Sequence, residues 1–326
     1  MGIAKTLAGR CGWRRVVFAG AAVFIAGGIT AGALSGGQAS RAATLSPAGP
    51  ALGAVPVVNS QAMISYPLDS YGPTDAEMSL IMQARHIFEI RCMQSLGFHG
   101  TNFADLLSTD FNETAKGQFI TFLSPASAAR YGYHSPQDVA APAVEAAPSR
   151  SARLIAEENL QAAVVDGHVK TVNGHAVPAG GCRGEGLRLL EAGTSGRLAI
   201  DPRYLIAQSQ VQAIEDLRMV RTIARWSSCM KASGYSYSSP FAAESATAGA
   251  PQPDGYFHTS PTALERRTAS ADATCRAKVN LTGMWVAVES AYQNQMIAGN
   301  RAKLDQARKL IAIWLRNARA AVAAGP

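Results

Sequence analysis

The sequence predicts a mainly α-helical protein, made of helical hairpins from two related halves with one disulfide in each half. Three observations support this fold class: a duplicated helix-end motif, four cysteines beyond the N-terminal segment, and apolar residues repeated at helical spacing. Long loops rich in Ala, Pro and Gly separate the predicted helices, and the chain is expected to end in a long amphipathic helix.

The chain divides into four predicted parts. Residues 1–40 are interpreted as a signal peptide or an N-terminal membrane anchor, and residues 41–65 as a flexible spacer, because they hold mostly small residues and almost no charge. Residues 66–200 form the first helical half, with a long irregular insertion, and residues 201–326 form the second helical half with the long C-terminal helix.

The N-terminal segment has the pattern of an export signal. Four basic residues precede an apolar run from Val16 to Leu34 that contains no charge. Such a run is also long enough to cross a hydrocarbon core of about 30 Å, so a cleaved signal and an uncleaved anchor both remain open. Without residues 1–40 the net charge falls from +7 to +3, and no Lys/Arg cluster with interleaved aromatic residues remains. This composition excludes nucleic acid as the expected partner.

A helix-end motif occurs at 91–98 and again at 228–235. Each copy consists of Cys-Met, three further residues, a glycine and an aromatic residue. The matching residues are Cys92, Met93, Gly97 and Phe98 in the first copy, and Cys229, Met230, Gly234 and Tyr235 in the second. Glycine supplies the left-handed residue after a helix, and the aromatic residue can pack on the last turn. The motif therefore predicts two similar helix ends and an internal repeat.

Four cysteines lie beyond the N-terminal segment, which itself holds Cys11: they are Cys92, Cys182, Cys229 and Cys275. An even number of cysteines in an exported chain predicts disulfides. The duplication favours Cys92–Cys182 and Cys229–Cys275, because Cys182 and Cys275 are each followed by Arg and are each expected to open a helical segment. A zinc site is the alternative, but no Cys-x-x-Cys spacing supports it. We predict no metal and no cofactor.

In the first half, Thr74 and Glu77 form a capping-box pattern that predicts a helix from about Asp75 to Leu96. Residues 99–180 show little pattern apart from two short predicted helices at 125–131 and 150–165. A long irregular stretch is often functional, so a ligand or partner surface is expected there.

A glycine-dense segment, 180–186, comes next and leads into a short predicted helix at 187–191. We interpret its glycines as a tight turn that brings Cys182 to Cys92. The alternative is a close approach of the backbone to a ligand.

In the second half, Asp201-Pro202 predicts the start of a helix that runs to Ser233, about 50 Å if unbroken. Another helix is predicted from about Ala263 through Cys275. From there apolar residues recur every three or four positions to Ala324, with two glycines as possible breaks. This long helix is expected to pack on the 201–233 helix inside the protein, in preference to a dimeric coiled coil.

The candidate catalytic and metal-binding residues of this sequence lack the partner residues that would complete a known motif. None of the six histidines belongs to a ligand pair, and Ser228-x-x-Lys231 lacks the other motifs of penicillin-binding enzymes. Methionines at helical spacing, such as Met78 and Met82, are interpreted as core packing. Cys182 is the candidate nucleophile, but a free thiolate conflicts with the even cysteine count. We therefore predict no catalytic residue, with a hydrolase or thiol enzyme using residues 99–186 as the alternative.

The Cys-Met motifs, Gly181-Cys182-x-Gly-Glu185, the 275–285 segment and the charged amphipathic tail together resemble a group of uncharacterised secreted or membrane-tethered proteins of actinobacteria. The resemblance covers most of the chain after Tyr66. It implies an accessory role at the cell envelope, beside a transport system. The expected function is an exported, non-catalytic binding or scaffolding protein. Its expected partner is an envelope protein or cell-wall component, with membrane contact through the N-terminal segment if that segment is uncleaved.

Overall fold

The computed structural model describes residues 49–99, 120–134, 151–194, 197–248 and 260–326. The predicted export segment and the first part of the predicted spacer lie outside these residues. The described ranges contain nine α-helices: α1 (Asp75–Ser95), α2 (Pro125–Tyr131), α3 (Ala152–Val165), α4 (Gly181–Leu190), α5 (Pro202–Glu215), α6 (Leu217–Ala232), α7 (Pro240–Thr247), α8 (Ala263–Lys278) and α9 (Leu281–Ala324). The prediction of a mainly α-helical fold is confirmed.

Minor elements complete the described chain. Two short 3-10 helices, Gln61–Met63 and Pro67–Ser70, precede α1. An antiparallel hairpin of β1 (Thr171–Val172) and β2 (His175–Ala176) lies between α3 and α4, with Thr171 opposite Ala176. Of the parts of the chain that are described, none forms a helix with the length and apolarity of a membrane span.

The 44-residue helix α9 organises the core, and its prediction is confirmed. At the helical rise per residue it is about 66 Å long. Its first part buries Trp285 with α6 and α8, its middle part buries Leu304 with α5, and its last part buries Leu315 with α1 and α4. The expected packing of α9 on the 201–233 segment is thus observed, and α9 also packs on α1 from the first predicted half.

Two predicted helices are interrupted where the apolar pattern shows no break. The expected 201–233 helix ends at Glu215 and restarts after Asp216, whose extended backbone and carboxylate cap α6 by accepting from the Arg218 amide at 2.8 Å. The run after Cys275 breaks at Asn280, which has a left-handed φ of 49°. Asn tolerates this conformation, so neither of the glycines proposed as breaks is needed.

Residues 49–65, which we call the strap, were predicted as part of a flexible spacer but pack on the helices instead. Arg218 Nη1 donates to the Pro50 carbonyl at 2.9 Å, and Asn280 Nδ2 donates to the Pro56 carbonyl at 3.0 Å. The Pro56 carbonyl lies so close to Gly283 of α9 that a side chain there would collide with it. The strap is ordered because its carbonyl groups find donors far away in the sequence.

Candidate binding cleft

Both disulfides pair as predicted. Cys92 is bonded to Cys182 and Cys229 to Cys275. The prediction that each second cysteine opens a helix holds for Cys182, which lies in the first turn of α4, but it is wrong for Cys275, which lies in the last turn of α8. Helix α4 also starts earlier than the predicted short helix, because its glycines enter the first turn.

The two Cys-Met motifs end α1 and α6 with the same backbone geometry. Gly97 and Gly234 have positive φ angles of 85° and 88°. The amide after each glycine donates back to a methionine carbonyl, from Phe98 to Met93 at 3.1 Å and from Tyr235 to Met230 at 2.9 Å. This pattern is the Schellman motif, which satisfies carbonyl groups at the end of a helix. The repeat-motif residues thus have a structural role, while a duplication of the chain stays a prediction.

The first disulfide lies in a region of close backbone contacts. Cys182 is fully buried and Cys92 is 8% exposed. A side chain on Gly181 would collide with the Val165 carbonyl and the Gly167 amide. The interpretation of this segment as a tight turn thus holds for Gly180 and Gly181, which have positive φ angles of 74° and 68°, whereas Gly184 and Gly186 lie within α4. Because Cys182 is buried in a disulfide, it offers no thiolate in this oxidised form.

The second disulfide lies beside a buried network of charged and polar groups. Asp272 is completely buried on α8 and forms an ion pair with Arg276 at 2.8 Å. The same carboxylate accepts from Trp226 Nε1 at 2.7 Å and from the Tyr133 hydroxyl at 3.2 Å. Burial, followed by the negative charge of Asp272, raises the pKa of Tyr133. Since three side chains already satisfy Asp272, this carboxylate holds the surrounding elements together.

Other ionisable side chains extend this network. The buried Glu265 carboxylate accepts from the Tyr133 amide at 3.0 Å and lies 3.4 Å from His134 Nε2. Burial raises the pKa of Glu244 nearby. Within the described ranges, no three metal-binding side chains come together in a geometry that could hold an ion.

A further buried acid, Glu289, was missed by the sequence analysis. It is 0% exposed and accepts from Gln293 Nε2 at 3.0 Å, while Gln293 Oε1 accepts from the Leu68 amide at 2.9 Å. Burial raises the pKa of Glu289 from 4.5 to about 7, although the hydrogen bond from Gln293 opposes this shift. The sequence signal for this buried acid was the presence of two polar residues, Glu289 and Gln293, four positions apart on the apolar face of α9.

The best candidate site is a cleft of about 210 Å³ between α1, α4, α9 and the start of α5, which we call the apolar cleft. Helix α1 supplies Met78, Ile81 and Met82, which share one helix face. The remaining apolar walls are Pro73, Leu187, Leu190, Leu198, Pro202, Ile311 and Trp314. The two methionines that the sequence assigned to core packing therefore line a cleft.

Four charged residues, Arg85, Glu191, Asp201 and Arg203, also line the apolar cleft, and both of its arginines are paired. Arg203 lies 2.7 Å from Asp201, and Arg85 lies 3.4 Å from Glu89. The indole Nε1 of Trp314 is buried and has no hydrogen-bond partner among the described residues. The cleft thus offers a largely apolar lining and no uncompensated cation among these pairs.

Helix packing positions this cleft. Helix α4 lies close to α1 because Gly186 has no side chain: a Cβ there would come within 3.3 Å of the Arg85 carbonyl. The Cys92–Cys182 disulfide joins the same two helices. The cleft lies outside residues 99–180, where a ligand surface was predicted. That prediction followed the irregular sequence, whereas the cleft forms between helices.

No known protein family, curated protein or solved structure shows a significant match to this chain. Its function must therefore be inferred from the geometry of its own residues.

Proposed function

We propose that this chain is an exported protein of the cell envelope that binds the acyl chain of a lipid-like envelope component in the apolar cleft and catalyses no reaction. The observation that carries this proposal is the cleft itself, with methionine, leucine and isoleucine walls contributed by three helices. The proposal includes an accessory role beside an envelope transport system, which the family resemblance implies.

The compartment in this proposal rests on the cysteines and on the N-terminal pattern. Disulfides persist in oxidising environments, and both predicted pairs are bonded. The basic segment followed by the Val16–Leu34 apolar run is typical of export. Together these features favour a location outside the reducing cytosol.

The ligand class follows from the volume and chemistry of the cleft. At about 210 Å³ the cleft is smaller than the roughly 300 Å³ of the smallest drug-sized pockets, so it suits part of a ligand such as a hydrocarbon chain. Arg85 and Arg203 already have carboxylate partners, so an anionic headgroup finds no free cation there.

Binding of the uncharged probe N-phenyl-1-naphthylamine tests this proposal, because its fluorescence rises in apolar surroundings. The full chain with both disulfides formed should bind the probe saturably, and dodecanol should displace it. Met82→Trp, which fills the cleft, should weaken probe binding by about tenfold or more, corresponding to about 1.4 kcal/mol.

The matched control is Met63→Trp on the strap, where Met63 is 55% exposed and outside the cleft lining. Leu187→Trp provides a second test at a position that is 39% exposed, where a larger side chain is tolerated more easily during folding. Equal probe affinity in all three variants, or no saturable binding by the parent protein, would contradict the proposal.

A further inference from the structure

A second, wider groove lies between α5, α9 and the start of the strap. It has a volume of about 660 Å³, and none of its lining residues is charged. Helix α5 contributes Gln208 and Gln212, and helix α9 contributes Tyr292, Gln295 and Met296. We call this the glutamine groove. Its volume is within the roughly 300–1,000 Å³ range of ligand pockets.

The glutamines of this groove are arranged as two facing walls. Gln208 and Gln212 are one helical turn apart and therefore share a face of α5, while Gln295 is three residues from Tyr292 on α9. The side-chain amides of Gln212 and Gln295 form no hydrogen bond to another described residue, whereas Gln208 Nε2 donates to the Tyr204 hydroxyl at 3.0 Å. Each amide offers two donors and one acceptor oxygen. Neighbouring hydroxyl groups of a ligand can accept from the amide N–H groups and donate to the amide oxygen.

Two tyrosines add aromatic surface to these polar groups. The hydroxyl of Tyr292 donates to Asp216 at 3.1 Å, and Asp216 is itself paired with Arg218 at 2.6 Å, so this ring is held in place. Tyr204 lies outside the lining itself, one turn before Gln208 on α5, and is 62% exposed. Tyrosine combines an apolar ring with a polar tip. A sugar ring presents the matching surface, with C–H groups on its face and hydroxyl groups at its edge.

We propose that the glutamine groove binds a neutral oligosaccharide. A charged ligand would lose water there without gaining an opposite charge from the lining, whereas a neutral polyhydroxyl ligand can exchange its hydrogen bonds with water for bonds to the glutamine amides. This site is distinct from the apolar cleft, since the two share no lining residue.

Calorimetric titration of the full, disulfide-bonded chain with maltotriose, cellotriose and N,N′,N″-triacetylchitotriose tests this proposal. At least one of these neutral trisaccharides should bind saturably. The double variant Gln212→Ala/Gln295→Ala should reduce its affinity by about tenfold or more through the loss of two hydrogen-bonding side chains. The matched control is Gln306→Ala, because Gln306 is exposed on the same helix and outside the groove.

Failure of all three trisaccharides to bind, or equal weakening by Gln306→Ala, would overturn the proposal. The Met82→Trp variant should retain full trisaccharide affinity, which separates a failure here from a failure at the apolar cleft.

Neutral sugars occur as free glycans and as glycolipid headgroups. Cosedimentation with vesicles that contain a digalactosyl lipid, against phosphatidylcholine vesicles alone, distinguishes these two sources of the same chemistry.

Discussion

The ends of α1 and α6 have the same backbone motif, and each is linked by its own disulfide, yet different interactions surround the two ends. Around Cys92–Cys182, the first joint, glycines allow backbone atoms of the α3–α4 region into close contact. Around Cys229–Cys275, the second joint, the buried Asp272 carboxylate connects α8 to Trp226 of α6 and to Tyr133, which follows α2. A local sequence motif thus specifies how a helix ends, while its surroundings determine what that end is attached to.

The two joints therefore differ in what surrounds them: close backbone contacts surround the first, and buried polar side chains surround the second. The first joint brings α1 and α4 together beside the apolar cleft, so its geometry bears on the binding that we propose there. The second joint belongs to the cluster that contains Trp226 and Trp285, with the ionisable groups of α8 and α9 nearby. The effect of a substitution on stability should therefore depend on charge and pH at the second joint, and on side-chain size at the first joint.

Of three single substitutions whose effect on stability we predict, Asp272→Ala in the second joint should have the largest. Removal of this carboxylate leaves the buried Arg276 without its partner, and we expect a loss of about 4 kcal/mol in the free energy of unfolding. Urea denaturation measures this loss. The control is Asp305→Ala, whose exposed pair with Arg308 should contribute less than about 1 kcal/mol. Similar losses in both variants would contradict our claim that the buried network stabilises the fold.

The second expected effect is a pH dependence from Glu289. Between its unfolded pKa of 4.5 and its folded pKa of about 7, the folded state binds more protons than the unfolded state. Stability therefore falls as the pH rises through this window, by about 3 kcal/mol at most, and is constant beyond it. Glu289→Gln should lack this decrease. Urea denaturation of both proteins from pH 4 to about 8 gives the difference, and parallel profiles would contradict the assignment.

The smallest of the three effects distinguishes glycines in the first joint from those in the second. Gly181→Ala combines a positive φ of 68° with a collision against backbone atoms, so we expect a loss of about 2–3 kcal/mol. Gly234→Ala has a similar φ of 88° but open space around it, and should cost about 1 kcal/mol. Thermal unfolding compares the two, and equal losses would mean that close packing adds nothing at the first joint.

Features that depend on local chemistry could be predicted from the sequence. The Thr74–Glu77 capping box starts α1 as expected, with the Glu77 carboxylate accepting from the Thr74 amide at 2.9 Å. The glycines of the Cys-Met motifs end α1 and α6 because only a positive φ closes that turn. The disulfide pairing followed from the repeated motif, although one of the two supporting arguments, the helix start at Cys275, was wrong.

Features that depend on distant partners could not be predicted in this way. Apolar spacing continues through Asp216, and the break there is stabilised by Tyr292 from α9 as well as by Arg218. The strap is ordered by donors at Arg218 and Asn280, which are 168 and 224 residues away from their acceptors. The apolar cleft likewise combines residues of four helices, so no single stretch of sequence carries its pattern.

The most direct test of the account is to remove each disulfide and measure binding of N-phenyl-1-naphthylamine. By loop-closure entropy the two bonds stabilise the fold by similar amounts, about 4–5 kcal/mol each, so stability alone does not separate them. The apolar-cleft proposal predicts that Cys92→Ala/Cys182→Ala weakens probe binding by about tenfold or more, because α1 and α4 are no longer joined. Cys229→Ala/Cys275→Ala, compared under conditions where circular dichroism shows both variants to be helical, should keep its affinity. Equal affinity in the two variants would contradict the role of the first disulfide in holding the cleft.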